Sequence, residues 1–268
     1  MNITRRLALG LALGLATFAG SMASAQEVLN VGSYPANPPW QNQMEDGTFE
    51  GFEVDIVNEI GKRLGRTVEI QPYDFRALFV ATTSGRADLV ISSLTITDER
   101  LQEQSFTQAY VSGALGIGMP TGAGYDSLDD LKDKTVGAIA TSFGETYLKD
   151  RAEEIGYADL RGYDTLANML TDLQNGRIDA VINDEVGLRY AFSQQMTGME
   201  VGATIETGEL FAIMMSKDNP LLEQVNQAIS DMKTDGTLAR FYEAWFGVAP
   251  AADSVTVTPM PVPTSAQG

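Results

Sequence analysis

The sequence of 268 residues contains no cysteine and no histidine. These absences exclude disulfide bonds, thiolate nucleophiles, zinc sites of the Cys/His type and Ser-His-Asp triads. A general base could only be a carboxylate, a lysine or a tyrosine. The composition therefore favours a binding protein over an enzyme, and we expect neither a cofactor nor a metal site.

Basic residues are scarce. The chain has 18 Lys and Arg against 36 Asp and Glu, which gives a formal net charge of −18. Such a charge repels nucleic acid and anionic lipid head groups, so neither is an expected partner. We expect a soluble monomer.

Long apolar runs are missing except at the N-terminus. Arg5-Arg6 precedes an uncharged run over residues 7–25, which ends in Ala23-Ser24-Ala25. This pattern predicts a secretory signal peptide over residues 1–25, with cleavage before Gln26 and export to the periplasm. The alternative is a retained membrane anchor. The pattern does not distinguish the general secretory route from the twin-arginine route.

Apolar strands alternate with helical periodicity twice along the chain, which is typical of α/β architecture. The first unit has predicted strands at 28–31, 68–71 and 89–92, with helices between them. The second has predicted strands at 136–140, 160–163 and 180–183, again with intervening helices. After residue 248 the chain is rich in Pro, Ala, Ser and Thr, so residues 249–268 are predicted to be a disordered tail.

The segment DLVISSLTITDER, from Asp88 to Arg100, begins as a buried strand and ends in hydroxyl groups and one guanidinium. Arginine presents a planar, two-pronged donor that matches a carboxylate. One interpretation is therefore a site for a carboxylate. The other is an ordinary helix N-terminus, with Thr97 as the capping residue and Arg100 in solvent.

A weak internal repeat gives this segment a counterpart. Residues 84–92 read SGRADLVIS and residues 175–183 read NGRIDAVIN. Ligands of open α/β sheets bind beyond the carboxyl ends of the strands, so Ser92 and Ser93 would face Asn183 and Asp184. A ligand with both a carboxylate and an ammonium group would satisfy Arg100 and Asp184 together. Chance similarity between two α/β units is the alternative.

The order of several motifs resembles family 3 of the bacterial extracellular solute-binding proteins, the periplasmic amino-acid receptors of ABC importers. The similarity extends from about Val28 to Gly247 and includes VGSYPANPPW, GFEVDIVNEIGKRLG, DFRAL, GRADLVISSLTITDER, SLDDLKDKTVGA, NGRIDAVINDEV and DGTLARFYEAWFG. The resemblance implies two doubly wound α/β lobes joined by a two-strand hinge, as in type II periplasmic binding proteins. It places residues 26–113 and 207–248 in lobe 1 and residues 114–206 in lobe 2.

The resemblance also implies a set of ligand contacts. Arg100 would hold the ligand α-carboxylate with help from Ser92, Ser93 and Thr95, and Asp184 would hold the α-ammonium. Phe75 would pack on the aliphatic part of the ligand. Backbone amides of Thr141, Ser142 and Phe143 would point at the carboxylate from a helix N-terminus.

Three positions in the proline-rich loop depart from the common pattern of the family and would shape specificity. Tyr34 stands where many members carry an acidic residue, Asn37 where a stacking aromatic is common, and Trp40 where phenylalanine is usual. Without the acidic residue, a distal cation on the ligand would lack a partner. We therefore expect a neutral or polar amino acid, delivered to the membrane permease of an ABC importer.

Two other functions stay open at this point. A few relatives resemble cyclohexadienyl or arogenate dehydratases, in which a cleft carboxylate is a general acid, and Glu145 and Glu185 would be the candidates here. We favour the other explanation of both residues, that they are acids in the first turn of a helix, where the helix dipole stabilises negative charge. A sensor domain is the third class, although such domains are often tethered to the membrane.

Overall fold

The computed structural model describes residues 27–266, so the predicted signal peptide lies outside the described residues. Nine α-helices and one short 3-10 helix, Leu128–Leu131, are present in this range; the α-helices are α1 Phe52–Leu64, α2 Phe75–Thr83, α3 Asp98–Glu103, α4 Phe143–Asp150, α5 Ala152–Ile155, α6 Leu166–Gln174, α7 Glu185–Gln195, α8 Leu222–Thr234 and α9 Thr237–Phe246. The strands are β1 Val28–Ser33, β2 Ala36–Asn37, β3 Gln41–Gln43, β4 Phe49–Glu50, β5 Thr67–Pro72, β6 Leu89–Ile91, β7 Gln104–Phe106, β8 Val111–Pro120, β9 Thr135–Ile139, β10 Asp159–Tyr163, β11 Ala180–Asp184, β12 Met199–Phe211 and β13 Met214–Ser216. Between residues 27 and 266, no helix has the length and apolar content needed to cross a membrane.

The strands form two five-stranded sheets and one small hairpin sheet. The first sheet has the order β5-β1-β6-β13-β7, the second has the order β10-β9-β11-β8-β12, and β2-β3-β4 form the small sheet. Strands β5, β1 and β6 are parallel, as are β10, β9 and β11, while β13 and β8 pair antiparallel to their neighbours. The predicted two-lobed α/β fold is confirmed, with mixed rather than purely parallel sheets.

Local sequence explains why these elements form. Helix α1 buries Val54, Ile56, Val57 and Ile60 in the core of lobe 1 and ends at Gly65, which has a left-handed φ of 67°. Every residue of β6 is buried, which matches its continuous apolar run. The same combination of apolar strand and amphipathic helix covers the second sheet, where Val136, Ala180 and Ile182 are buried.

Strands β8 and β12 connect the lobes. They pair antiparallel from Pro120–Met199 at one end to Val111–Phe211 at the other, with a register shift between Ile205 and Glu209. A side chain at Gly113 would come within 2.3 Å of the Phe211 ring, so only glycine permits this close approach. The chain therefore leaves lobe 1 along β8 and returns along β12.

The segment after residue 248 packs against lobe 1, which differs from the predicted disordered tail. Thr256 is only 2% exposed. The backbone carbonyl of Thr258 accepts a hydrogen bond from Lys233 Nζ at 3.0 Å, and the Met260 amide donates to Gln108 Oε1 at 2.9 Å. The composition of this segment is typical of disorder, but its backbone satisfies buried polar groups of the lobe.

Candidate functional site

A cleft lies between the two lobes at the carboxyl ends of β6 and β11. Ten of the twelve predicted ligand-binding residues line it: Tyr34, Asn37, Phe75, Ser92, Ser93, Thr95, Arg100, Ser142, Phe143 and Asp184. The two that do not line it are Trp40 and Thr141. The polar residues at the carboxyl ends of the two repeated strand segments therefore line one cavity: Ser92, Ser93, Asn183 and Asp184.

The turn after β6 presents its polar groups in an unusual backbone conformation. Ser93 has a φ of 43°, a left-handed region that non-glycine residues seldom adopt. Its amide donates to Glu53 Oε1 at 2.8 Å, and Glu53 also accepts from the Tyr110 hydroxyl. Burial raises the pKa of the Glu53 carboxyl to about 7, against the lowering effect of these bonds. Glu53 therefore stabilises the backbone of this turn by accepting the hydrogen bond of the Ser93 amide.

Arg100 projects from the first turn of α3 into the cleft. Its Nη1 donates to the carbonyl oxygen of Thr95 at 2.8 Å, and its guanidinium carbon lies 5.2 Å from the centre of the Phe79 ring. Thr97 caps α3 by accepting from the Arg100 amide. The predicted capping role of Thr97 is confirmed, but Arg100 lines the cleft instead of lying in solvent, and the carboxylate site stays a prediction. Burial lowers the pKa of Arg100 to about 10, so it remains a cation at neutral pH.

Asp184 stands on the opposite wall, at the end of β11. Its Oδ2 accepts from the Gly187 amide at 2.7 Å and so caps α7. Its Oδ1 is buried and has no hydrogen-bond partner. Burial raises the pKa of this carboxyl to about 7, and the charges of Glu209 and Glu185 add to the increase. An unpartnered carboxylate oxygen beside a cavity is suited to a cationic ligand group.

Sequence reasoning missed Glu209, a second carboxylate on the cavity wall. It is 5% exposed and lies on β12, where Oε2 accepts from Thr95 Oγ1 at 2.6 Å and Oε1 accepts from Thr207 Oγ1 at 3.0 Å. Burial raises its pKa, while its two hydroxyl donors and the charge of Arg100 oppose the increase. The cleft thus contains a second carboxylate in addition to Asp184, even though Tyr34 occupies the position that is acidic in many members of the family.

Trp40 and Thr141 do not occupy the positions predicted for them. The Trp40 side chain is 1% exposed and lies behind the cavity, where its Nε1 donates to Asp184 Oδ2 at 2.6 Å. The Thr141 amide, predicted to face the ligand carboxylate, instead donates to Glu145 Oε2 at 2.9 Å. In both cases the predicted N–H group donates to a carboxylate of the protein.

Helix α4 begins at the cavity. Ser142 is its N-cap, and its hydroxyl accepts from the Glu145 amide at 3.2 Å. Phe143 and Gly144, in the first turn, line the cleft. The N-terminus of this helix favours negative charge. The sequence predicts that three backbone amides meet a carboxylate. The Thr141 amide donates to Glu145 and the Ser142 amide donates to the Ile139 carbonyl, which leaves the Phe143 amide at the start of the helix.

Several hydrogen bonds join the lobes across the cleft, so the structure shows the closed arrangement. Arg100 Nη2 donates to the Thr141 carbonyl at 3.3 Å, and the Leu166 amide donates to the Tyr34 hydroxyl at 3.0 Å. Tyr34 is buried and forms one end of the cavity. Asn37 lies beside it, with Nδ2 donating to Ser93 Oγ and Oδ1 left without a partner.

The two candidate catalytic acids point to local partners. Glu145 pairs with Lys149 at 2.9 Å, and Glu185 pairs with Arg189 and accepts from Thr204. Neither residue lines the cleft. Their positions in the first turns of α4 and α7 match the structural interpretation of these acids.

The fold is that of a two-lobed α/β protein with a polar cleft between the lobes, and comparison with known proteins identifies the family. The family model of the bacterial extracellular solute-binding proteins, family 3, matches residues 29–248. The chain belongs to this family.

Individual relatives are amino-acid-binding proteins. The lysine/arginine/ornithine-binding periplasmic protein of Escherichia coli K12 is 30% identical over 249 residues, which cover 90% of this chain and 95% of the relative. The L-cystine-binding protein TcyJ of the same organism is 33% identical over 227 residues, which cover 82% of each chain. Among solved structures, an ancestral arginine-binding protein bound to arginine is 35% identical with a TM-score of 0.78 and covers 83% of this chain and 99% of that chain.

Proposed function

We propose that this protein captures an amino acid in the periplasm and delivers it to the permease of an ABC importer. The observation that carries the proposal is the pair of opposite charges across the cleft. Arg100 offers a guanidinium from lobe 1, and Asp184 offers an unpartnered carboxylate oxygen from lobe 2. The carboxylate and ammonium of one zwitterion satisfy both groups when the lobes are closed.

The hinge lies where the two connecting strands leave lobe 1. We assign residues 26–113 and 207–248 to lobe 1 and residues 114–206 to lobe 2. The register shift of β12 between Ile205 and Glu209 and the glycine at position 113 support this division. Ligand binding then closes the lobes about these two positions, and the monomer carries the complete site.

A neutral polar side chain is the first candidate for the ligand. The Tyr34 ring closes one end of the cleft, and its hydroxyl already accepts from the Leu166 amide. The adjacent Asn37 offers an amide oxygen without a partner, which suits a hydrogen-bond donor such as a side-chain hydroxyl or amide.

A basic amino acid is the second candidate, and Glu209 is the observation that favours it. With Arg100, Asp184 and Glu209, the cleft holds one cation and two acidic groups. A ligand with one carboxylate and two cationic groups complements this set. Relatives whose names specify arginine, lysine or ornithine are consistent with this choice.

Isothermal titration calorimetry with the twenty amino acids on the purified mature protein tests the proposal and separates the candidates. Tight binding of serine, threonine, asparagine or glutamine supports the first, and tight binding of lysine or arginine alone supports the second. Absence of binding by all twenty contradicts the proposed function. Incubation with prephenate and arogenate checks the dehydratase alternative, for which release of carbon dioxide would be the positive result.

A further inference from the structure

One hydrogen bond connects the aromatic core of lobe 1 to the acidic group of lobe 2. Trp40 Nε1 donates to Asp184 Oδ2 at 2.6 Å, and both side chains are buried. The two residues are 144 positions apart in sequence, with Trp40 in the turn between β2 and β3 and Asp184 at the end of β11. This bond exists only while the lobes are together.

The indole is held rigidly on the lobe 1 side. Three aromatic rings surround it with centroid separations of 5.1 to 6.0 Å in edge-on or tilted orientations: Phe52, Phe211 and Phe246. Such packing leaves the ring little rotational freedom. The direction of the N–H group is therefore fixed by the core rather than by the ligand.

The carboxylate is held from two directions through one oxygen. Oδ2 accepts from the indole and from the Gly187 amide, while Oδ1 is left without a partner in the protein. Two donors at one oxygen fix the rotation of the carboxylate and so fix where the free oxygen points. The bonds also favour the ionised form of the carboxyl, against the effect of burial.

We infer that Trp40 is the positioning residue of the ammonium subsite: its indole N–H orients Asp184 so that Oδ1 is presented to the ligand. The inference rests on the proposed amino-acid binding. Trp40 does not touch the ligand, since it lies outside the cavity lining. A phenylalanine at this position, usual in proteins that this sequence resembles, preserves the aromatic packing but has no N–H to donate.

The Trp40→Phe variant tests the role with a comparison of two ligands. One is the amino acid that binds most tightly in the calorimetric panel, and the other is the α-hydroxy acid with the same side chain, which lacks the ammonium group. The ratio of their affinities measures the ammonium contribution and cancels general effects on stability or closure. Trp40→Phe is expected to reduce this ratio about tenfold or more, because a hydrogen bond to a charged group is lost.

Trp245→Phe is the matched control. Trp245 Nε1 also donates to a carboxylate, Asp55 Oδ2 at 2.7 Å, but this pair lies outside the cleft. The control is expected to leave the ratio unchanged. An unchanged ratio in Trp40→Phe, with amino-acid binding intact, would overturn the inference and leave the proposed function standing. Failure of the wild-type protein to bind any amino acid would instead remove the proposed function.

A second measurement does not depend on mutating Trp40. The chain has two tryptophans, so Trp245→Phe leaves a single indole N–H signal in a ¹H–¹⁵N spectrum. That signal is expected to lie downfield and to move as Asp184 titrates, and Asp184→Asn should abolish the movement. Glu209, Glu185 and Glu53 are the other carboxylates whose charges couple to that of Asp184, so Glu209→Gln, Glu185→Gln and Glu53→Gln show whether the indole follows their titration instead. A signal that ignores both pH and Asp184→Asn would refute the inference.

Discussion

The carboxylate of Glu53, in α1, accepts the amide hydrogen of Ser93, 40 residues away, at 2.8 Å. This bond satisfies the one amide in the β6 turn whose residue has a left-handed φ. Glu53 is fully buried and also serves the Tyr110 hydroxyl. The shape of the ligand-facing turn therefore depends on a side chain that lies below the cleft.

Replacing Glu53 should weaken both folding and binding. Glu53→Ala leaves the Ser93 amide and the Tyr110 hydroxyl without their partner, which costs about 1–3 kcal/mol for each buried group. Glu53→Gln retains an acceptor oxygen and should cost less. Urea denaturation gives the free energy of unfolding, and calorimetry gives the affinity. Wild-type stability in Glu53→Ala would show that the turn is held by other contacts.

Arg100→Ala should remove most of the ligand affinity. A desolvated carboxylate would lose its charge-assisted hydrogen bonds, at about 1.5–3 kcal/mol each, so a loss of about 100-fold or more is expected. Arg86→Ala is the matched control, because Arg86 is exposed and does not line the cleft. Calorimetry with the best ligand measures both. Equal affinity in the two variants would contradict the carboxylate role of Arg100.

Affinity should rise with pH between about 4 and about 7 and then level off. In the closed arrangement without ligand, burial raises the pKa of Asp184 to about 7, so at lower pH the carboxyl holds a proton that ammonium binding must displace. The limiting slope for one proton is about tenfold per pH unit. The same raised pKa means that Asp184 contributes less to stability as pH rises through this range. Calorimetry in buffers of different ionisation enthalpy counts the released proton, and Asp184→Asn should abolish the pH dependence.

Glu209→Gln should separate the two candidate ligand classes. If the ligand is basic, loss of the carboxylate that faces its second cation should reduce affinity by about tenfold or more. If the ligand is neutral, the amide can accept from one threonine hydroxyl through its oxygen and donate to the other through its NH2 group, and affinity should change by only a few fold. Comparison of glutamine and arginine binding in wild type and variant is the measurement. A similar loss for both ligands would mean that Glu209 supports the site without selecting the side chain.

Deletion of residues 249–268 should destabilise lobe 1. Lys233 is 4% exposed, its pKa is lowered to about 7 by burial, and its Nζ donates to the carbonyl oxygens of Ala109 and Thr258. Removing the Thr258 carbonyl and the Met260 amide should cost about 1–3 kcal/mol, or a Tm decrease of about 2–10 °C. Deletion of residues 264–268 alone keeps these contacts and the buried Pro263, removes one exposed hydrogen bond from the Ala266 amide to Asp98, and is the control. Equal Tm values for the full chain and the longer deletion would favour the disordered tail.

The sequence predicts the elements of the fold well because their signals are local. The apolar run of β6 and the spacing of Val54, Val57 and Ile60 ending at Gly65 each depend on neighbouring residues. Arg100 and Asp184 could be placed opposite one another because parallel strands present their carboxyl ends to one edge of a sheet.

The features that sequence reasoning missed depend on contacts between distant segments. The hydrogen bond of Trp40 requires the relative placement of two sheets, which no local pattern encodes. Glu209 follows Glu206 on the same strand, and nothing in their spacing shows which one faces the cleft. The segment around Thr256 packs on the lobe beside the buried Lys233, whose ammonium group needs carbonyl acceptors. The burial of Lys233 becomes evident only in the folded chain.

The two connecting strands have a practical consequence for protein engineering. The Thr121 amide donates to the Gly198 carbonyl at 2.9 Å, at the far ends of β8 and β12. The 76 residues between them begin and end at adjacent points within lobe 2, so their replacement leaves β8, β12 and the described part of lobe 1 in place. Two crossovers therefore suffice to exchange this segment between members of the family, which would combine the Asp184 side of the cleft from one protein with the Arg100 side from another.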